Sequence, residues 1–263
     1  MQDEAARQYA TTANLAKRGS LHSRYGTGNW FGWLAREMRL APGERVLDIG
    51  CGPGWFWRSV RDAVPADLHL TLADASPAMV KAAEDVDGFA SVTVERADAA
   101  ALPYGDATFD SVVAMHMLYH LDEPQGALAE MRRVLRPEGR IFVTTAVPES
   151  MVGLGRLGAA AFGGSELDPA AAIVSLNDLE AWLADGFERV ERADFADTYH
   201  VTEAADAVAF LLSMPPGNAA GPEAVDRLCD LLEREIATHG AIEVTWRPGV
   251  VSAVKPAEAV RPT

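Results

Sequence analysis

The chain has 263 residues and a formal net charge of −15, from 23 Lys and Arg against 38 Asp and Glu. Such a balance would repel nucleic-acid phosphates unless the chain carried a concentrated basic patch, and none stands in the sequence. Two cysteines, Cys51 and Cys229, cannot make a disulfide framework, and MQDEAARQYATT lacks the layout of a secretory signal. No apolar run approaches the ~18 residues that span a bilayer. We therefore expect a reduced, cytoplasmic protein that binds neither nucleic acid nor membrane.

Short apolar runs alternate with helical patterns from about residue 41 onward. ERVLDIG, at 44–50, predicts a buried strand, since its apolar residues lie between Pro42-Gly43 and a glycine cluster. Ser76 followed by Pro77 is typical of a helix start. Strands separated by helices indicate parallel pairing in an open doubly wound sheet. The predicted strands are 44–50, 69–76, 91–99, 108–117 and 140–147, and the helices between them include 55–64 and 124–139.

The flanking segments differ from this alternating core. Residues 1–40 predict a helical arm rich in aromatic residues, and 151–164, with five glycines, predicts a mobile loop or a loosely packed helix. After a serine-capped helix at 175–187 we expect a sixth strand at 188–201, two helices at 203–213 and 223–238, and a last strand at 250–256. The fold class is therefore α/β, a Rossmann-like doubly wound seven-stranded sheet with an N-terminal helical arm and a helical insertion before the last strand.

The glycine cluster VLDIGCGPG, at 46–54, is the first functional signal. A strand that ends in glycines and opens a helix brings bare backbone N–H groups to a ligand at the carboxyl edge of the sheet. A phosphate loop is excluded because Trp55 and Phe56, not Lys-Ser or Lys-Thr, follow Gly54. Asp48 within the motif suits a ligand with an ammonium group, because opposite charges at ~4 Å attract by about 4 kcal/mol near a protein surface.

Two further acids narrow the ligand. Asp74 ends the next strand, where a carboxylate can accept both hydroxyl hydrogens of a ribose. Asp98, in RADAAALPY, could accept from an exocyclic adenine amine, and the Ala99 amide could face the ring. A ligand with an ammonium group, a ribose and an adenine describes S-adenosylmethionine better than a dinucleotide.

Over residues 41–147 the chain resembles the class I S-adenosylmethionine-dependent methyltransferases, in particular the small-molecule group of the methyltransferase type 11 kind. Five blocks carry the resemblance in order: VLDIGCGPG, LADASPAMV, RADAAALPYGDATFD, VVAMHMLYHLDEP and EMRRVLRPEGRIFVTT. The resemblance implies S-adenosylmethionine as cofactor, S-adenosylhomocysteine as product and no metal. It also implies a set of cofactor-binding residues: Tyr9 as a lid, Arg24 as partner of the cofactor carboxylate, and Asp48, Gly50, Gly52, Asp74, Ala75, Asp98, Ala99 and Met115.

Several of these residues also have a purely structural interpretation. Asp48 could cap the helix after the loop and Asp98 could hold a turn, although the ordered blocks favour function. Asp110, at the entry to a strand, is expected to fix structure. Cys51 has no evident base beside it, which argues against covalent catalysis.

His116 and His120 are the candidate catalytic residues. Both follow the fourth strand at the carboxyl edge, where an acceptor must lie, and a free imidazole titrates near pH ~6.5. Each could take a proton from the acceptor. The alternative for His120 is that Tyr-His-Leu only holds the loop in place.

The sequence thus predicts a methyltransferase that acts on O, N or C of a small organic acceptor, as a monomer or homodimer, in secondary metabolism or a quinone-like pathway. Its expected organisation is an arm at 1–40, a cofactor-binding core at 41–147 and a C-terminal part at 148–263 whose helices, at about 203–238, form a substrate lid. Three alternatives stay open: a peptide or protein acceptor, a non-methylating member that binds the cofactor, and a nicotinamide-dependent oxidoreductase.

Overall fold

The computed structural model describes residues 11–257. The strands of this region are β1 (Arg45–Ile49), β2 (His69–Asp74), β3 (Ser91–Arg96), β4 (Phe109–Met115), β5 (Leu135–Ala146), β6 (Glu188–Asp194), β7 (Asp197–Val201), β8 (Ile242–Trp246) and β9 (Pro248–Val254). The helices are α1 (Ala13–Tyr25), α2 (Trp30–Met38), α3 (Trp55–Val60), α4 (Pro77–Ala83), α5 (Pro124–Val134), α6 (Val152–Phe162), α7 (Leu176–Ala184), α8 (Ala204–Leu211) and α9 (Pro222–His239).

Seven strands form one twisted sheet in the order β3-β2-β1-β4-β5-β9-β6. The first five pair in parallel, whereas β9 runs antiparallel to both β5 and β6. The predicted seven-stranded Rossmann-like sheet is therefore confirmed. Because β1 lies between β2 and β4, the carboxyl ends of these three strands meet at one edge, at the point where the strand order reverses.

The core lies on both faces of the sheet. Along β1, Leu47 and Ile49 pack into one apolar cluster, while Val46 packs into the cluster on the opposite face. This division follows from the pleat, which points successive side chains to opposite faces. A strand covered on both sides reads as a continuous apolar run, which is what the sequence shows at this position.

The helix starts that the sequence predicts are present. The Ser76 hydroxyl accepts a hydrogen bond from the Met79 amide, and Pro77 occupies the first turn of α4. Ser175 and Asp178 form a reciprocal capping box at the start of α7. Each side chain satisfies a backbone N–H that the first helical turn leaves without a partner.

The prediction of one strand over 188–201 was wrong. The segment leaves the main sheet after Asp194, and β7 pairs antiparallel with β8, which the sequence analysis did not predict. Asp197 begins β7 with a buried carboxylate that accepts hydrogen bonds from the amides of Thr27 and Gly28, at 2.9 Å each. This contact with the N-terminal arm holds the two-stranded β7–β8 sheet beside the main one.

The glycine-rich segment 151–164 is not a mobile loop: it forms α6, and its glycines allow close packing rather than motion. A Cβ on Gly153 would overlap the carbonyl oxygen of Glu243 in β8, and one on Gly155 would overlap that of Glu166. Gly158 similarly faces Leu211 of α8. Helix and neighbouring backbone therefore approach more closely than any residue with a side chain would allow.

The helical insertion is confirmed as α8 and α9, and α1 of the arm packs against α8. Leu21 of α1 lies in one apolar cluster with Tyr199 of β7 and Phe210 of α8. Within residues 11–257, helices long and apolar enough to cross a membrane do not occur. The arm, α6, α8 and the β7–β8 sheet thus make a second layer above the carboxyl edge of the main sheet.

We predict that Gly155→Ala lowers the free energy of unfolding by about 1–3 kcal/mol, because the added methyl group overlaps backbone that cannot move freely. The matched control is Gly126→Ala in α5, where the nearest atom to a new Cβ, that of Glu123, is 3.8 Å away. The control should be neutral or stabilising by up to about 1 kcal/mol, the helix-propensity gain of alanine. Urea denaturation measures both; equal effects would refute the packing role.

Candidate active site

The glycine loop between β1 and α3 adopts a conformation that side chains resist. Gly50, Gly52 and Gly54 have φ angles of 74°, 56° and 72°, all in the left-handed region. A Cβ on Gly50 would also lie 2.8 Å from the Met117 side chain. The loop is tied to the neighbouring strand because the Gly50 and Cys51 amides donate to the Ala73 carbonyl at 2.7 and 3.1 Å. These glycines are therefore required by backbone geometry at the site.

Asp74 at the end of β2 joins the glycine loop to α4. One carboxylate oxygen accepts from the Gly52 amide at 3.0 Å and the other accepts from the Ser76 amide at 2.8 Å. Burial raises the pKa of Asp74, and the two amide hydrogen bonds oppose that rise. Each oxygen keeps a second lone pair, so Asp74 can also accept hydrogen bonds from a ligand. Asp74 and Ala75 both line the cavity described below.

Asp48 is fully buried beneath the loop. One carboxylate oxygen accepts from the Trp57 indole N–H at 2.8 Å, while the other, Oδ1, is buried without a hydrogen-bond partner. Burial raises the pKa of Asp48 to about 7, helped by the nearby Asp74 charge and opposed by the Trp57 hydrogen bond. An unpartnered buried carboxylate oxygen is costly unless a cation compensates it. Asp48 does not cap α3, so the helix-cap alternative is not supported.

Asp98 and Ala99 follow β3 and line the same cavity. Asp98 accepts from the Ala100 amide at 2.9 Å and forms an isolated bridge with Ala101, so it does hold a turn. Its side chain is nevertheless exposed, whereas Ala99 is buried with 3% of its surface accessible. The turn therefore places a carboxylate beside an apolar surface. The carboxylate can accept a hydrogen bond from the edge of an adenine, and the apolar surface can pack against the face of the ring.

His116 follows Met115 at the end of β4 in a strained conformation, with a φ of 51°. Its amide donates to the carbonyl and the hydroxyl of Thr144 in β5, at 3.1 Å each, which holds the strained backbone in place. The side-chain Nε2 is buried and has no hydrogen-bond partner. Burial lowers the pKa of His116 to about 4, with smaller contributions from His22 and Arg18, so the imidazole is neutral at pH 7.

His120 lies on the short 3₁₀ turn that follows, with its ring edge-on to Tyr119 at 4.5 Å between centroids. Burial also lowers the pKa of His120 to about 4. Both predicted histidines line the cavity, as does Met115. The structure therefore brings the predicted catalytic pair to one wall, with both imidazoles neutral.

The arm supplies a different arginine from the predicted one. Arg24 does not line the cavity; its guanidinium pairs with Asp206 of α8 at 2.6 Å, and 56% of its side chain is exposed. Arg18, less than two turns earlier on α1, lines the cavity together with the glycine loop. Tyr9, the predicted lid, lies outside the described residues. Arg24 therefore lies away from the cavity, and Arg18 takes its place as the proposed partner of the cofactor carboxylate.

Asp110 and Cys51 are two further residues that the sequence analysis considered. Asp110 accepts from the Arg45 amide at 2.7 Å and pairs with Arg136, at the edge of the sheet opposite to the glycine loop. Cys51 is buried, and burial strongly raises the pKa of its thiol, so the reactive thiolate is disfavoured. The structure gives neither residue a chemical role.

One cavity of about 1930 Å³ connects these groups. It begins at the glycine loop and extends under α1, α6 and α8. Most ligand pockets measure ~300–1,000 Å³, so this cavity has room for a cofactor and a second molecule. The part beyond His116 is lined mainly by apolar and aromatic side chains that the sequence analysis did not single out, among them Leu154, Phe162, Phe210, Met214 and Trp246.

Comparisons with known proteins identify the family. Residues 47–143 match the model of a methyltransferase domain. Over 175 residues the chain is 33% identical to the O-methyltransferase rstn1 of Aspergillus nomiae, a match that covers 63% of this chain and 73% of that protein. The chain belongs to the class I S-adenosylmethionine-dependent methyltransferases. The cofactor of this methyltransferase is accordingly S-adenosylmethionine.

Two further comparisons support this assignment. The chain is 39% identical over 112 residues to the 27-O-demethylrifamycin SV methyltransferase of Amycolatopsis mediterranei, over 41% of this chain and 40%, less than half, of that protein. The fold resembles Haemonchus contortus phosphoethanolamine N-methyltransferase 2 in complex with S-adenosyl-L-methionine, with a TM-score of 0.59, 18% identity and coverage of 97% of this chain and 60% of that one. At this identity the structural likeness concerns the fold alone.

The residues of the methyltransferase fit this cofactor. Asp48 is fully buried and does not line the cavity, so its negative charge would attract the cofactor's ammonium from beneath the loop rather than by contact. Asp74, which lines the cavity, offers its remaining lone pairs to the ribose. Asp98 and Ala99 would hold the adenine, and Arg18 would face the cofactor carboxylate. Within residues 11–257, no group of three or more His, Cys, Asp or Glu side chains could hold a metal ion.

The contributions of Arg18 and Arg24 of α1 to cofactor binding can be distinguished by substitution. We predict that Arg18→Ala weakens S-adenosylhomocysteine binding about tenfold, the value of one charge-assisted hydrogen bond, whereas Arg24→Ala leaves affinity within about twofold. Isothermal titration calorimetry at fixed ionic strength measures both. A loss confined to Arg24→Ala would restore the original assignment.

Proton release tests Asp48. A ligand ammonium near this carboxylate lowers its pKa from about 7, so binding of S-adenosylhomocysteine at pH 7 should release about half a proton. Affinity should then rise with pH through neutrality. Calorimetry in buffers of different ionisation enthalpy measures the released fraction. Asp48→Asn should abolish it; an unchanged release would assign the proton to another group.

Proposed function

We propose that this methyltransferase transfers the methyl group to a hydroxyl oxygen of a small, largely apolar organic acceptor in secondary metabolism. The observation that carries the proposal is the cavity, which continues from the glycine loop into a chamber walled by aromatic and aliphatic side chains. The names of two similar proteins, an O-methyltransferase of Aspergillus nomiae and a rifamycin O-methyltransferase, support oxygen as the acceptor atom.

The walls of this chamber favour an apolar ring system. Trp30 stacks on Trp33 at 5.2 Å and meets Trp246 edge-on at 5.4 Å between centroids. Aromatic faces and edges of this kind pack well against flat apolar molecules. Two carboxylates of the cavity wall, Asp197 and Asp168, accept hydrogen bonds from backbone amides, whereas Glu166 lines the cavity with an exposed side chain. The apolar and aromatic surface of the wall, rather than its charge, therefore favours an apolar acceptor.

Alignment is expected to be the main contribution of the protein to the rate. The cofactor, when bound, would supply a methyl group already activated on a sulfonium. An acceptor oxygen held in line with the C–S bond would form the new C–O bond as that bond breaks, and S-adenosylhomocysteine would leave. A near-attack arrangement contributes ~7–11 kcal/mol, whereas general-base assistance adds ~10²–10⁴-fold. His116 is neutral at pH 7 and can accept the hydroxyl proton, although a pKa of about 4 makes it a weak base.

A peptide or protein acceptor is the alternative within the same chemistry. The cavity is partly open to solvent, so a chain segment could enter its mouth. A family member that binds the cofactor without methylating is the alternative outside that chemistry. Nothing in the geometry favours either over a small acceptor.

The proposal is tested with trideuteromethyl-labelled S-adenosylmethionine and an extract of the host organism. Mass spectrometry should find the label in a small molecule, on an oxygen. Label in protein would instead establish the peptide alternative, and absence of transfer together with intact cofactor binding would establish the non-methylating one.

Within this assay, His116→Asn should reduce label transfer about 10²-fold, the lower end of general-base assistance, with S-adenosylhomocysteine affinity unchanged. Asparagine is chosen because it tolerates the left-handed backbone at this position, which alanine does not. Thermal unfolding of the variant controls for folding. Undiminished transfer would mean that alignment alone suffices.

A further inference from the structure

His22 of α1 and Tyr199 of β7 form a buried pair on the wall of the chamber. The His22 Nδ1 lies 2.7 Å from the Tyr199 hydroxyl, and Tyr199 has only 1% of its surface exposed. The His22 ring lies 4.3 Å from the Trp246 ring and is edge-on to Tyr199 and Phe210. Both members of the pair line the cavity. Neither was singled out from the sequence.

The hydrogen bond fixes which nitrogen of His22 carries the proton. Among residues 11–257, His22 Nδ1 is the one atom placed to hydrogen-bond with the Tyr199 hydroxyl. A buried hydroxyl whose hydrogen lacks an acceptor is unfavourable, so Tyr199 donates and Nδ1 accepts. The neutral imidazole then carries its hydrogen on Nε2.

The Nε2 side of His22 is open. Within the described chain this nitrogen makes no hydrogen bond, yet it is not among the fully buried unpartnered atoms, so it keeps some accessible surface. His116 differs, because its Nε2 is buried completely. His22 therefore presents a ring N–H to a molecule in the chamber.

Burial keeps His22 neutral. It lowers the pKa of His22 to about 4; Asp197 opposes this shift and Arg18 adds to it. The Asp197 oxygens accept from the Thr27 amide, the Thr27 hydroxyl and the Gly28 amide at 2.7–2.9 Å, so this carboxylate points to the arm backbone. The ring therefore offers one N–H donor and no positive charge.

Resting on the proposed methyl transfer, we propose that the His22 Nε2–H donates a hydrogen bond to an unprotonated oxygen of the acceptor, and that Tyr199 is its positioning residue. In an apolar wall this N–H donor fits a carbonyl oxygen best, because a hydroxyl would bring a hydrogen that needs an acceptor of its own. The acceptor class is thus an apolar ring compound that carries a carbonyl oxygen as well as the hydroxyl that is methylated.

The tautomer is tested first, because it needs no acceptor. Long-range ¹H–¹⁵N NMR of histidine-labelled protein at pH 7 should show a neutral His22 ring with its hydrogen on Nε2, assigned by its loss in His22→Gln. Tyr199→Phe should abolish this preference. A hydrogen on Nδ1 in the wild-type protein would overturn the proposal.

The role in acceptor binding is tested by transfer of label from trideuteromethyl S-adenosylmethionine to the host extract. His22→Ala should lose about tenfold in transfer, the value of one buried hydrogen bond, while His22→Gln, whose amide N–H replaces Nε2–H, should recover most of it. Tyr199→Phe should lose about threefold, through misplacement of the ring rather than loss of the donor. S-adenosylhomocysteine affinity should stay unchanged in all three.

The matched control is His200→Gln, since His200 is the next residue on β7 and its side chain is 66% exposed. It should transfer label as the wild type does. Undiminished transfer by His22→Ala, or equal loss in His22→Ala and His22→Gln, would overturn the His22 assignment alone. Absence of label with the wild-type protein would overturn the methyl transfer itself.

Discussion

The site depends on the two hydrogen bonds that the Asp74 carboxylate accepts. The carboxylate accepts amide hydrogen bonds from Gly52 and Ser76, and so fixes the glycine loop and the start of α4 to the end of one strand. The loop needs such an anchor because its left-handed glycines are flexible in any unfolded or loosened state. Once the loop is fixed, Asp48 is sealed beneath it and the cavity floor acquires its shape. Removal of one carboxylate would thus disturb ligand contact and loop geometry together.

The chamber above this floor depends on contacts between segments far apart in the chain. Asp197 connects β7 to the arm through Thr27 and Gly28, and the same strand brings Tyr199 to His22. In the proposed site, most cofactor-binding groups would come from local turns of the main sheet, with Arg18 of the arm beside them. The proposed acceptor chamber would be formed by the arm, α6, α8 and β7–β8 through long-range packing. Variation in the second layer can change the acceptor without altering the first.

This division explains what the sequence could predict. The alternating strands, the serine caps and the positions of Asp48, Asp74 and Asp98 follow from local patterns, because each lies at the end of a strand in an ordered block. The split of 188–201 into two strands was missed, since no glycine or proline marks the break at Phe195. Arg24 was named from the family resemblance and Arg18 was not considered, because a helix pattern without a known partner does not say which face turns inward. His22 and Tyr199 lie 177 positions apart, and only tertiary structure joins them.

The neutral histidines that line the cavity make the stability of the folded protein depend on pH. His22, His116 and His120 have pKa values of about 4 when folded, against 6.5 for the free side chain, so the unfolded chain binds more protons between these limits. The free energy of unfolding therefore decreases as the pH falls from 6.5 towards 4, because the three histidines are protonated in the unfolded chain but not in the folded one. Asp48, whose pKa is raised to about 7, acts in the opposite sense, since the folded state holds its proton more tightly. Asp74 and Asp168, whose pKa values burial also raises, act in the same sense as Asp48, so these carboxylates offset part of the acid destabilisation that the three histidines cause. Neutral imidazoles would favour binding of the proposed apolar acceptor, because charged imidazoles would have to lose bound water before the acceptor could pack against them.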